Sequence, residues 1–492
     1  MCRYHWLIAR LNLFSLFALG VVLLPTAGAA EKENAEQENR PNFIFFITDD
    51  ISWNDLGCYG NQFVKTPNLD RIAQEGMVFE NCYLAISSCS PSRCSIITGR
   101  YPHNTGAPEL HTTLPEGQYL FPLTLRESGY HTVLSGKHHM GKAADKAFSE
   151  ISRGKGPGSE ATWVDILRDR PKDKPFFCWF ASTDAHRNWA INEQAPEYDP
   201  ADVEVPPYLF DGPTTRKDLA EYYHEVSRTD YFSGKLVEEL RRQGIAEKTY
   251  FIYCSDNGRP FPRCKTMLYD SGIRSPLIVW SPGRVTQGRC ASLVSSIDFG
   301  PTILDLAGQR MDARIQGISF AKLLTDPTTV TRDYVFAEHN WHVYQAHERL
   351  VRYRNWAYIR NAWPDQLSLS MESDPSFPAG KELWDAEAEG LLSPGQSGLF
   401  QRPRPAEELY DVDADPYQLR NLASVDEHHD VLVELRRVLD RWTEQTADTV
   451  PTNPTPNRQS IDGRRNPKYR RGTFPGAERN AESVNHPGPV RE

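Results

Sequence analysis

The segment Asn42–Thr48 reads NFIFFIT, and it runs straight into two aspartates, Asp49 and Asp50. A strand with one wet face alternates apolar and polar residues, whereas an unbroken apolar run fits a strand covered on both faces. Similar short runs recur at His131–Leu134, Phe176–Ala181, Tyr250–Cys254 and Leu277–Trp280. Helical patterns lie between them. Thr66–Gln74 carries Pro67 in its first turn, where the missing N–H costs nothing. A longer pattern from about Leu219 to Arg242 repeats apolar positions at Leu219, Tyr223, Val226, Leu236 and Leu240. Buried strands alternating with helices predict an α/β domain, a mainly parallel sheet sandwiched by helices. Ligands of such sheets gather at the carboxyl ends of the strands.

The pattern also divides the chain. Residues 41–314 carry the α/β alternation. From 315 to 447 the texture changes: Tyr334–Glu338 and Leu350–Ile359 read as short antiparallel strands, followed by a helix over about Asp430–Thr443. That span predicts a smaller C-terminal α+β subdomain with an antiparallel sheet. With 492 residues and 39% hydrophobic content, the chain has material for two subdomains around a sizeable core. Residues 448–492 are rich in Pro, Asn, Arg and Gly without apolar periodicity, and read as a disordered or loosely attached tail.

The opening residues read as an export signal. Arg3 and Arg10 flank the start of an apolar run from Leu11 to Leu24, and Ala27-Gly28-Ala29 offers small residues for cleavage. The run is short and no second apolar span follows. Residues 1–30 therefore read as a secretory signal peptide, and the polar residues 31–40 as a linker. This predicts a periplasmic, extracellular or lysosomal-type compartment and no stable membrane insertion. Of nine cysteines, Cys2 lies in the signal and Cys89 in a motif taken up below. Cys58, Cys82, Cys94, Cys178, Cys254, Cys264 and Cys290 are odd in number and lack metal-type spacing, so at least one stays unpaired.

The formal charge is −10, and −12 without Arg3 and Arg10. Such a chain does not attract nucleic acid at long range; an anionic substrate needs cations concentrated locally in a pocket. The strand ends provide them. Asp49 and Asp50 follow the first strand, and Asp256 and Asn257 follow another in the string CSDNG. Three carboxylates and an amide oxygen form a hard, oxygen-rich set suited to Ca²⁺ or Mg²⁺. Zinc is not indicated, because no His or Cys cluster accompanies them. Lys137 and His139 stand in GKHHMG after the His131 strand, His186 in DAHR after the Phe176 strand, and Lys265 lies nine residues beyond Asp256.

One further stretch carries the most specific pattern. CSPSRCSIITGR opens at Cys89, with Pro91 and Ser92 as helix-start residues and Arg93 as a fixed, forked cation. A helix beginning there aims free N–H groups at an anion. The stretch resembles the signature of type I sulfatases of the alkaline phosphatase superfamily. That resemblance implies that a maturation enzyme oxidises Cys89 to formylglycine, whose hydrated aldehyde is the nucleophile. It implies Asp49, Asp50, Asp256 and Asn257 as Ca²⁺ ligands. Arg93 would hold the hydrate, and Lys137, His139 and Lys265 would face the sulfate. His186 would stand at the leaving group, where an imidazole that titrates near neutrality suits an acid.

Within that family the chain is most similar to the sulfamidase (heparan N-sulfatase) group over about residues 40–445. The matching strings are SSCSPSR at Ser87–Arg93, YDPADVEVP at Tyr198–Pro206 and SDNGRPFP at Ser255–Pro262. Two departures stand out. The group carries Arg where this chain has Lys265, and its His-His-Glu stretch is present only as Glu338-His339-Asn340, which leaves His339 as a substrate-binding candidate. Three readings follow: a sulfamidase acting on N-sulfoglucosamine ends of heparin or heparan fragments, an O-sulfatase on another sulfated glycan, or a non-catalytic sulfoglycan-binding protein whose Cys89 is never converted.

Overall fold

A computed structural model describes residues 40–491; the signal-peptide and linker expectations for residues 1–39 lie outside the described residues. Eight strands form the larger sheet: β1 (Asn42–Thr48), β2 (Met77–Tyr83), β3 (His131–Gly136), β4 (Glu150–Ser152), β5 (Phe176–Ala181), β6 (Thr249–Ser255), β7 (Leu277–Trp280) and β8 (Gly288–Ser295). Their order is β4-β3-β5-β1-β6-β7-β2-β8. Only β7 runs antiparallel to its neighbours. The apolar run that opened the argument is β1, all seven residues buried, between β5 and β6.

Successive strand side chains point to opposite faces, and β1 divides accordingly. Phe43, Phe45 and Ile47 join one core with Ile96 and Ile97 of the helix Cys89–Thr98 and with Phe299, Ile303 and Leu304 of the helix Phe299–Leu306. Ile44 and Phe46 join the opposite core, which takes in Leu219, Tyr223, Val226, Leu236 and Leu240 of the long helix Pro213–Arg242. The five apolar positions of the sequence pattern are thus the buried stripe of that helix. The predicted α/β sandwich is the observed fold.

The smaller sheet is antiparallel, in the order β12-β11-β10-β9, from β9 (Tyr334–His339), β10 (Glu348–Tyr353), β11 (Trp356–Asn361) and β12 (Glu407–Asp411). The stretch Leu350–Ile359 is therefore a hairpin, turning at Arg354, whose φ is 52°. The helix His429–Gln445 covers one face with Leu432, Leu435, Val438, Leu439 and Trp442. The other face packs Val335, Ala337, Leu350 and Ile359 against Tyr83, Leu84 and Leu268. Both faces of the small sheet are covered, and the described residues from 41 onward form one compact unit with no break near 314. Three strands of this sheet, β2, β4 and β8, escaped the sequence reading: β4 and β8 are edge strands, short or half wet, with β8 exposed at Gly288, Arg289 and Ala291, and the interior β2 breaks its apolar run at the half-buried Glu80 and Asn81.

The tail differs from its expectation. Residues 448–491 are pinned to the body by polar contacts rather than by an apolar stripe. The buried Arg100 guanidinium donates to the carbonyls of Glu482 (2.9 Å) and Val484 (2.9 Å) and to Asn485 Oδ1 (2.6 Å). Asn104 Nδ2 donates to Ala481 O at 2.7 Å, and Arg349 pairs with Asp448 at 2.6 Å. Hydrogen bonds to irregular backbone leave no period in the sequence, so composition alone reads such a segment as loose. Among the described residues all eight cysteines are free.

Arg100→Ala removes the donors of the Glu482 and Val484 carbonyls, a loss of about 3 kcal/mol if each of these two charged hydrogen bonds is worth ~1.5 kcal/mol. The variant is expected to melt several degrees lower and to be cut by trypsin at the exposed Arg464 much faster than the parent; equal cleavage rates would show that Arg100 does not fasten the tail.

Candidate active site

β1 and β6 are adjacent, parallel and in register, Thr48 opposite Ser255. The residues that follow must therefore emerge side by side. Asp49, Asp50, Asp256 and Asn257 all have 0% exposure. Asp50 sits at φ 63°, a left-handed conformation that Asp tolerates better than most residues. Its N–H donates to Asp256 Oδ1 at 3.3 Å, and the Ile51 N–H donates to Ser255 Oγ at 3.0 Å. The tight turn holds both carboxylates over the sheet end.

Cys89 is the first residue of its helix, two positions earlier than Pro91 and Ser92 suggested, and the whole helix is buried. Its Sγ lies 3.7 Å from Asp49 Oδ1. Atoms of Asp49, Asp50 and Cys89 all fall within 4.8 Å of one another. Burial pushes the Cys89 thiol up to about 12, against the pull of Lys137 and Lys265. A thiol held neutral that far above physiological pH is a poor nucleophile.

Three cations face the three carboxylates. Arg93 Nε meets Asp256 Oδ2 at 2.7 Å, and Arg93 Nη1 donates to Lys137 O at 3.1 Å. Lys137 Nζ binds Asp49, and Lys265 Nζ binds Asp50 at 2.7 Å. Lys137 reaches its place because Gly136 ends β3 at φ 103°; a Cβ there would meet Ala181 O at 1.9 Å. Burial raises Asp50 to about 7 and Asp256 to about 6, despite Lys265 and Arg93 beside them. For Asp49 burial pushes the same way, but Lys137, His186, Arg93 and Lys265 together outweigh it and hold the carboxyl well below its usual range.

The donor set fits a hard divalent cation. Asn257 Oδ1 is buried without a hydrogen-bond partner, while its Nδ2 donates to Asp50 Oδ1 and to Gly258 O. Two carboxyls with raised affinity for protons beside an orphaned amide oxygen are what a missing positive charge leaves behind. Asp49, Asp50, Asp256 and Asn257 would hold the ion.

The histidines divide. His139, at φ 58°, has a buried Nδ1 without a partner; burial and then Lys137 push it down to about 2, so the ring stays neutral. His138 turns away to Asp145 at 2.9 Å. His186 is solvent-facing, and its Nδ1–H donates to Arg187 O at 2.6 Å, leaving Nε2 free to gain or give a proton. The charge of Lys265 first, and partial desolvation second, lower it to about 4. The His186 segment hangs from β1, since the Asp49 N–H donates to Asp184 O at 2.8 Å and Arg228 grips the Asp184 carboxylate at 2.7 and 2.8 Å.

His339 is not brought to the cluster by any polar contact among the described residues. Its Nδ1 faces Glu348 Oε2 at 3.3 Å on the neighbouring strand β10. The histidine that does reach the site is His342, three positions on, whose Nδ1 bonds Ser88 Oγ at 2.8 Å just before Cys89. Sequence reasoning also missed His111, whose ring lies 5.0 Å from that of His139, and Glu372, 3.7 Å from Lys265. Nothing local marks these three residues: each is a single polar side chain in a loop or a short helical turn, brought in by tertiary contact.

The Sulfatase family model matches residues 41–157 and 161–309, and the model for the C-terminal part of N-sulphoglucosamine sulphohydrolase matches residues 263–360. An ulvan-active sulfatase of Formosa agariphila is 30% identical over 468 residues, spanning 83% of this chain and 76% of that protein. Human N-sulphoglucosamine sulphohydrolase is also 30% identical over 468 residues, spanning 83% of this chain and 90% of that protein. A solved chain in complex with its substrate, D-glucosamine-2-N,6-O-disulfate, shares the fold, with a TM-score of 0.63 at 20% identity over 82% of this chain and 98% of that one. The chain belongs to the sulfatase family, hydrolases of sulfate esters and sulfamates.

Proposed function

We propose that this protein is an exported sulfamidase that removes the N-sulfate from N-sulfoglucosamine at the ends of heparin or heparan fragments. The observation that carries the finer reading is the match to the N-sulphoglucosamine sulphohydrolase C-terminal model over residues 263–360, the stretch that supplies Lys265 and His342 to the site. An O-sulfatase acting on another sulfated glycan is the second reading. It is favoured by the equal identity to the ulvan-active sulfatase and by Lys265, where the sulfamidase group has Arg.

Position 89, once oxidised to formylglycine by a maturation enzyme, would supply a hydrated aldehyde hydroxyl as the nucleophile toward sulfur. A divalent cation, Ca²⁺ or Mg²⁺, would be held by Asp49, Asp50, Asp256 and Asn257 and would supply Lewis-acid charge. The remaining work falls to the chain's own side chains. Arg93, fixed by Asp256 and by Lys137 O, holds the end of the nucleophile helix. Lys137 and Lys265 stabilise negative charge on the non-bridging oxygens from preset positions, the kind of electrostatic help that costs no reorganisation. His186 carries a proton at Nε2 to the leaving nitrogen, and Lys265 makes it a strong donor by holding that proton weakly. Expulsion of sulfate would break its C–O bond and turn the remaining hydroxyl into the aldehyde oxygen, and the proton so released would pass to His139 Nδ1, which is buried without a partner.

Asp49, Asp50, Asp256 and Glu372 stand against Arg93, Lys137 and Lys265, a surplus of one negative charge among these groups. A divalent ion would turn that into a surplus of one positive charge, matching the single charge of the sulfate group.

Three outcomes test this. Enzyme converted at 89 is given Ca²⁺ and D-glucosamine-2-N,6-O-disulfate. Loss of the N-sulfate is expected; loss of only the 6-O-sulfate would replace the sulfamidase reading with the O-sulfatase one. Cys89→Ala should lower kcat by at least about a thousandfold with an unchanged melting temperature, and appreciable residual turnover would remove Cys89 as the nucleophile's source. Because the His186 pKa is depressed, its protonated fraction in the free enzyme grows about tenfold for each unit of acidification above pH 5. Thus kcat/KM should rise from pH 7 toward pH 5, and His186→Ala should flatten that limb.

A further inference from the structure

Glu372 is the one acidic side chain of the site that neither the sulfate nor the cation explains. It lies on the short helical turn Met371–Ser373, between β11 and β12, far from the metal-binding strands in the chain. The turn is strapped in place: Asp374 Oδ2 accepts from Tyr344 Oη and from Gln459 Nε2, both at 3.1 Å, and the Ser370 and Ser373 hydroxyls bond each other at 2.7 Å. Glu372 is 5% exposed. Its Oε1 lies 3.7 Å from Lys265 Nζ, which also binds Asp50. Its Oε2 is buried with no hydrogen-bond partner among the described residues.

A carboxylate beside a sulfate pocket works against the binding of an anion, so the sulfate is not what it receives. A buried carboxylate oxygen without a donor is costly, and that cost is removed only when a donor arrives. A sulfated sugar brings such donors within reach of the sulfate, as ring hydroxyls or as the nitrogen of an amino sugar. We propose that Glu372 Oε2 accepts a hydrogen bond from a hydroxyl or amino group of the sugar ring, so that Glu372 makes the site select a saccharide over a sulfate ester lacking donors. The same carboxylate favours an amine leaving group, because the product ammonium meets it with both partners charged, whereas an alcohol is a neutral donor. The inference rests on the sulfatase reading above and adds to it the group that reads the sugar.

The test compares kcat/KM for D-glucosamine-2-N,6-O-disulfate with that for 4-nitrophenyl sulfate, which offers no hydroxyl or amine donor. Parent, Glu372→Gln and Glu372→Ala are each converted at 89. Both values come from one preparation, so their ratio is independent of the fraction that folds. The saccharide-to-aryl ratio is expected to fall about tenfold to a hundredfold in both variants, chiefly through KM for the saccharide. A ratio within twofold of the parent's overturns this inference alone, and equal loss on both substrates does the same by making Glu372 a support for Lys265. A parent enzyme that cleaves the aryl sulfate but not the saccharide overturns the sulfamidase reading and this inference together.

Discussion

Three carboxylates stand at 0% exposure on the ends of two neighbouring strands, and the rest of the site is arranged around neutralising them. An isolated buried carboxylate either takes up a proton or is paired. Here the pairing is shared by Arg93 from a helix, Lys137 from the turn after β3 and Lys265 from the loop after β6. Each lies on a separate segment, so the balance is met only when the sheet, the helix that Cys89 opens and the crossing loops are all in place. Asp50 and Asp256 remain raised even so, which leaves room for further positive charge.

That demand explains the backbone detail around it. Gly136 allows the close approach to Ala181 that carries Lys137 to Asp49. The left-handed Asp50 keeps two successive carboxylates on the same side of a strand end, where an extended chain would turn them apart. The same field acts on the imidazoles. Lys265 depresses His186, and burial with Lys137 depresses His139 further, so the two rings differ in proton affinity by environment alone.

The smaller sheet and the tail belong to the site as much as the larger sheet does. β9 leads into His342, which bonds the residue before Cys89, and the stretch between β11 and β12 delivers Glu372 to Lys265. The tail braces that stretch through Gln459. The charged centre on the large sheet thus meets walls built from the C-terminal third of the chain.

Much of this was legible in the residues. The double-sided burial of NFIFFIT announced a covered central strand, the alternation of runs announced the sandwich, and carboxylates immediately after two strands announced the acidic cluster that is buried there; each is local information carried by period and position. Cys89, Arg93, Lys137, His186 and Lys265 were legible through a motif and its spacing. The tail's attachment, His342 in place of His339, and Glu372 were not. They depend on contacts between residues hundreds of positions apart, made through single hydrogen bonds and ion pairs that leave no periodic trace. The sequence by itself determined the sheet and the chemistry at its edge, because burial and charge there follow from local pattern; only the tertiary structure decided what surrounds that chemistry, because loops are placed by what they touch.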